Sequence, residues 1–145
     1  MKLNGSGFTL LELIIVIFLI TLMVGLSAVF FANTLPSGRF NATAREIAST
    51  IRQARHLAQL NGEKQVVTID MDSGSYGIEG RSEKKLPSGL HLKAIDPLTG
   101  DITSGKYRMT FHPAGSTEGG TVVLWYDAKS AQINVDPVAG AVIIK

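Results

Sequence analysis

The chain has 145 residues and a formal net charge of +2, so its size suits one modest domain and its charge gives no general affinity for nucleic acid. It holds no cysteine, which excludes disulfides and thiolate metal sites. Its histidines, His56, His91 and His112, lack the i, i+4 spacing of a helical metal pair, so neither a catalytic metal nor a cofactor is expected.

Residues 13–38 contain no charged side chain. The stretch 13–32, at roughly 1.5 Å per residue, would form a helix of about 30 Å, the thickness of bilayer hydrocarbon. A secretory signal carries its small-residue cleavage site after the apolar core. Here Gly5, Ser6 and Gly7 precede the core, so cleavage among them would remove a short polar leader containing Lys2 and leave the helix attached. Glu12 is the one charge near the start of the span, and an unpaired carboxylate in lipid costs about 2.5 kcal/mol or more. Two readings stand for it: a carboxylate snorkelling to the headgroups, or one paired with a cation from another subunit.

The segment Asn33-Thr34-Leu35-Pro36-Ser37-Gly38 predicts a kink or a short interruption. Helix then resumes, with Phe40, Ala44, Ile47, Ala48, Ile51, Ala54 and Ala58 gathered on one face by three- and four-residue spacing. Leu60-Asn61-Gly62 supplies a left-handed cap. The helical arm thus covers about 8–60, roughly 80 Å at about 1.5 Å per residue. Beside the apolar stripe, Arg45, Arg52 and Arg55 with His56 make a basic face in which Glu46 is the only acid. That face reads as solvated, as pairing with acidic neighbours in an assembly, or as a contact for a DNA backbone.

Beyond Gly62, β-branched and aromatic runs at 65–71, 75–79, 90–95, 107–111, 121–125, 132–135 and 141–144 predict short antiparallel strands. Turn chemistry separates them, as in Asp72-Ser73-Gly74, Asp96-Pro97-Leu98-Thr99-Gly100 and Asp136-Pro137-Val138-Ala139-Gly140. The expected fold class is α+β, a long N-terminal helix packed through its amphipathic half on a small antiparallel β-sandwich or pair of sheets. Asp70-Met71-Asp72-Ser73-Gly74 begins like a calcium loop, but no glutamate closes it twelve residues on, so it reads as a turn. Ser116 beside His112 lies in a strand-to-turn connection and reads as a surface turn rather than a nucleophile with its base; no enzyme activity is expected.

The string Gly7-Phe8-Thr9-Leu10-Leu11-Glu12-Leu13 before an apolar helix resembles the signal of type IV pilins and type II secretion pseudopilins. The later strings Phe111-His112-Pro113-Ala114-Gly115-Ser116 and Val135-Asp136-Pro137-Val138-Ala139-Gly140 are similar to those of the GspH/FimT group of minor pseudopilins. The resemblance implies that a prepilin peptidase cuts between Gly7 and Phe8 and methylates the new amine of Phe8. It also implies that Glu12 serves assembly by pairing with the amine of an adjacent subunit. One departure is that many major pilins carry a proline near the middle of the membrane helix, where this chain has Gly25.

The implied organisation is a leader over 1–7, a transmembrane and filament-core helix over 8–35, and a pilin-like periplasmic domain over 36–145. Within that domain the amphipathic helix covers 39–60 and the β region 64–145. The implied role is a minor pseudopilin of the type II secretion system, at or near the pseudopilus tip and assisting export across the outer membrane. Its partners would be the prepilin peptidase, other major and minor pseudopilins, the inner-membrane assembly platform and the membrane, but not nucleic acid. It would be a single-pass inner-membrane protein before incorporation into the periplasmic pseudopilus. The alternative is a minor pilin of a type IV pilus or DNA-uptake machine, binding DNA through Arg45, Arg52 and Arg55.

Overall fold

A computed structural model describes residues 7–145, with backbone alone for 28–36. Residues 1–6 of the expected leader, and the side chains of Asn33, Thr34, Leu35 and Pro36, lie outside the described residues. Helix α1 is continuous over Leu10–Asn61. The interruption expected at 33–38 is therefore absent from the helical backbone. A proline inside a helix forfeits one hydrogen bond and costs about 3 kcal/mol. A helix this long keeps its bonds on both sides of such a defect. The chain divides into two compact units, one ending at Gly38 and the other covering Arg39–Lys145.

In the second unit every member of the predicted stripe is buried: Phe40, Ala44, Ile47, Ala48, Ile51, Ala54 and Ala58. The stripe side chains share one buried cluster with residues of both sheets, and beside the small alanines Ile47 and Ile51 supply the larger apolar volume. Burying a side chain of that size is worth about 1.5–3 kcal/mol. The helix ends where Gly62 adopts φ 67°, the left-handed conformation that the Asn-Gly cap predicts.

The strands follow in order: β1 Gln65–Asp70, β2 Ser75–Ile78, β3 Lys84–Lys85, β4 His91–Asp96, β5 Gly100–Ile102, β6 Lys106–Phe111, β7 Gly120–Tyr126, β8 Lys129–Val135 and β9 Val142–Ile144. They form two antiparallel sheets, ordered β3-β2-β1-β6 and β5-β4-β7-β8-β9. In the first sheet Val67 faces Met109 and Ile69 faces Tyr107. In the second Ala94 faces Val122, and Val122 faces Ile133. These pairs and the helix stripe belong to one buried cluster. Period-two alternation brings them together, since β8 buries Ala131, Ile133 and Val135 while Ser130, Gln132 and Asn134 face out.

Two strands were absent from the sequence reading. Neither Lys84–Lys85 nor Gly100–Ile102 carries a hydrophobic alternation long enough to notice; each is a sheet edge created by its partner. A two-residue lysine strand also makes a poor template for unwanted edge pairing. Tyr107 ties the sheets' connections together, donating its hydroxyl to the buried carbonyl of Gly119 at 3.1 Å. Burial first, and then the nearby Asp96 carboxylate, push the Tyr107 phenol up to about 12.

Candidate assembly site

The helix start is set by its own side chains. Thr9 Oγ1 accepts the Glu12 backbone N–H at 3.2 Å, and the Thr9 carbonyl accepts the Leu13 N–H at 3.2 Å. Thr9 is therefore the N-cap and Glu12 stands at the third helical position, the Thr-x-x-Glu spacing of a capping box. There its carboxylate faces the positive end of the helix dipole, worth about 0.3–1 kcal/mol at an exposed site. The sequence reading gave Glu12 two roles and missed this third one, although Thr9-Leu10-Leu11-Glu12 carried the signal.

Gly7 and Phe8 precede the helix and are exposed, Phe8 to 79%. A Cβ added at Gly7 would meet nothing within 4 Å, and its φ is not among the positive ones. Packing and backbone conformation within the described residues therefore place no demand for glycine at this position.

The stretch Leu10–Ser27 is apolar enough to cross a membrane, with a mean hydropathy of 2.7, and none of it is buried within the chain. Its two hydroxyl residues after the first turn satisfy themselves on the backbone. Thr21 donates to Phe18 O at 2.8 Å and Ser27 to Met23 O at 2.8 Å, so neither demands water at bilayer depth.

The three arginines of the basic face are not gathered into one site. Arg52 Nη2 donates to the Val142 carbonyl at 3.1 Å, on the edge strand β9. Arg55 Nε donates to the Gly115 carbonyl at 3.3 Å. Its side chain lies against a second turn as well, because a Cβ at Gly140 would come within 2.6 Å of Arg55 Nε. Gly115 and Gly140 both have positive φ, 85° and 58°. The two Pro-containing turns that looked like separate motifs in sequence thus close on the same arginine. Arg45 is exposed. Glu46, the acid among them, pairs instead with Lys84 at 2.6 Å, and that hydrogen bond holds its carboxyl below the usual range.

The suggestive residues elsewhere are engaged in turns. Asp70 Oδ1 accepts the N–H groups of Asp72 and Ser73, both at 3.0 Å, which is how an Asx turn uses its carboxylate. His112 and Ser116 meet through the backbone, His112 N–H donating to Ser116 O at 2.9 Å.

No protein-family model matches the chain, and no curated protein matches its sequence. Solved structures do match it. The minor pseudopilin EpsH from the type 2 secretion system of Vibrio cholerae aligns with a TM-score of 0.58 at 13% identity, over 74% of this chain and 96% of that one. The type IV minor pilin FimU of Pseudomonas aeruginosa aligns with a TM-score of 0.57 at 12% identity, over 76% of this chain and 90% of that one. The chain has a pilin-like fold. A second crystal form of FimU gives a TM-score of 0.54 at 13% identity, over 72% of this chain and 91% of that one. The pilin-like architecture expected from the leader string and the helix stripe is therefore the one found, an apolar N-terminal helix and two antiparallel sheets packed on its continuation.

Proposed function

We propose that the chain is a minor pseudopilin of a type II secretion system, a structural subunit at or near the tip of the periplasmic pseudopilus. What carries the reading is a conjunction at the N-terminus of a pilin-like fold. An exposed Gly7-Phe8 pair precedes a self-capped apolar helix, and nothing among the described residues requires a glycine at position 7. A glycine without an internal reason suits an external one, close backbone approach by the prepilin peptidase. Phe8 would then be the methylated first residue, and its amine the partner for Glu12 of an adjacent subunit. That pairing would make burial of Glu12 tolerable only when subunits are in register. The subunit is anchored by one inner-membrane span with its domain in the periplasm, and its work is assembly rather than catalysis.

The FimU likeness gives a type IV minor pilin the same support from fold. No observation favours the DNA-binding form of that alternative, since Arg52 and Arg55 are directed to backbone carbonyls of their own domain. Capture of the full-length chain with its partners separates the two: co-purified pseudopilins and a secretion ATPase platform support the first reading, and a DNA translocase overturns it. Mass spectrometry of the mature chain tests the site. Gly7→Val should leave the precursor uncut, and a methylated Phe8 terminus in that variant removes the assignment. Glu12→Ala should be cut and inserted normally yet crosslink poorly to other pseudopilins; unchanged crosslinking would leave Glu12 a helix-capping or snorkelling residue only.

A further inference from the structure

Beside Trp125 the domain opens a cleft of about 380 Å³, between the β1–β2 turn and the segment joining β3 to β4. That volume falls within the roughly 300–1,000 Å³ of small-molecule sites. Backbone hydrogen bonds brace its walls: the Leu86 N–H donates to the Gly74 carbonyl at 2.8 Å, and the Leu90 N–H to the Pro87 carbonyl at 3.2 Å. The cleft is thus held open by the chain itself, and little order remains to be imposed on binding.

The lining is more polar than apolar, and its one carboxylate, Asp72, is balanced by its one ammonium, Lys85. An apolar ligand would leave those groups unpaired, and neither an anion nor a cation meets a net counter-charge. What the lining offers is hydrogen bonding of every kind. Asp72 only accepts, Lys85 only donates, and the hydroxyls of Ser88 and Thr103 do both. Asp72 Oδ1 accepts the Gly105 N–H at 3.0 Å, which fixes the carboxylate and leaves Oδ2 to accept from elsewhere. The side chains of Lys85, Ser88 and Thr103 have no partner among the described residues. One wall is aromatic. His91 faces Trp125 across β4 and β7, and the two rings stack with centroids 5.5 Å apart, which holds the indole in place. An aromatic face carries negative charge density and attracts C–H bonds polarised by neighbouring oxygen.

A carbon ring bearing hydroxyls meets all three conditions: it is uncharged, its hydroxyls donate and accept at once, and its C–H face packs on an aromatic ring. We propose that this cleft binds a neutral pyranose unit of an oligosaccharide, packed on the Trp125 wall and hydrogen-bonded by Asp72, Lys85, Ser88 and Thr103. An N-acetylated glycan and an unsubstituted glucan share that chemistry, and the test separates them. The site goes beyond the filament-subunit reading and needs no assembly to bind.

Trp125 is the chain's only tryptophan, so its emission reads the cleft directly. The full-length chain, in a detergent without a sugar headgroup, is titrated with chitotriose for the N-acetylated source and with maltotriose for the glucan. At least one should shift the Trp125 emission saturably, and the one that saturates at lower concentration identifies the source. Asp72→Asn, which keeps an Oδ1 acceptor for Gly105, and Thr103→Val should each weaken that binding about twofold to tenfold, the range for one hydrogen bond. Saturation-transfer NMR should show the sugar's C–H protons against the protein, and Trp125→Leu should abolish the transfer. If that variant misfolds, Thr103→Val, at an exposed position, still decides the matter. Ser82→Ala, outside the cleft, should leave binding unchanged. No saturable shift with either sugar overturns the proposal. So does binding that Asp72→Asn and Thr103→Val leave intact, or an equal shift from inorganic phosphate.

Discussion

Helix α1 has two halves that obey opposite rules. Over Leu10–Ser27 apolar side chains face every direction and none is buried by the chain. From Phe40 to Ala58 the apolar residues gather on one stripe, whose seven members are buried, while Leu57 packs half-buried beside it and Ala42 is exposed. The first half satisfies its backbone internally and leaves its side chains for a lipid or protein environment that the chain does not provide. The second half takes its stability from the sheets. One secondary structure therefore serves two solvents, and what separates them is the width of the apolar surface around the helix.

The largest test removes one half. A fragment of Arg39–Lys145 should be soluble and melt cooperatively by circular dichroism, since the whole buried cluster lies within it. A gradual, non-cooperative melt would show that the second half depends on the first. Next, Ile51→Ala should destabilise that fragment by about 2–5 kcal/mol in urea, whereas Ile20→Ala in the full chain should leave the domain's midpoint unchanged. Equal effects would erase the contrast between the halves.

Glycines sharpen the comparison at lower energy. Gly140→Ala should cost about 1–3 kcal/mol, because φ 58° disfavours a side chain and the added Cβ would press on Arg55 and the Gly115 carbonyl. Gly25→Ala, with nothing within 4 Å, should cost the domain nothing and favour the helix slightly. In alkali the domain should lose stability as pH rises from about 10, where an unfolded tyrosine ionises, through about 12, where folded Tyr107 does. The raised phenol contributes fully below that window, and Tyr107→Phe should flatten the loss. The smallest effect is at the helix start: Thr9→Ala should fray the first turn by about 1 kcal/mol, visible in hydrogen exchange at Glu12 and Leu13 and absent from the domain.

Much of this was legible without coordinates. The stripe was read residue by residue because helix geometry converts a three- and four-residue spacing into one face whatever lies opposite. Seven of the strands were located, to within a few residues at their ends, from alternation and turn residues. The Thr9 cap on the Glu12 N–H is also legible, in the Thr-x-x-Glu spacing of Thr9-Leu10-Leu11-Glu12. Helix through Pro36 contradicted a local rule, because neighbouring turns of a long helix can carry one missing bond.

By itself the sequence determined the apolar span, the signal-like string around Gly7, the amphipathic stripe and the turns. Each depends on residues within a few positions of one another, so local sterics and periodicity are enough. Tertiary structure decided which strands pair, and so made Lys84–Lys85 and Gly100–Ile102 into sheet edges. It sent Arg52 to Val142 and Arg55 to Gly115, across 90 and 60 residues, turning a basic face into ties between helix and loops. It also set His91 opposite Trp125, beside Asp72 and Thr103 in one cleft. The hydrogen-bonded register of β4 and β7 fixes that pairing, and register is a relation between strands that no single stretch of sequence contains.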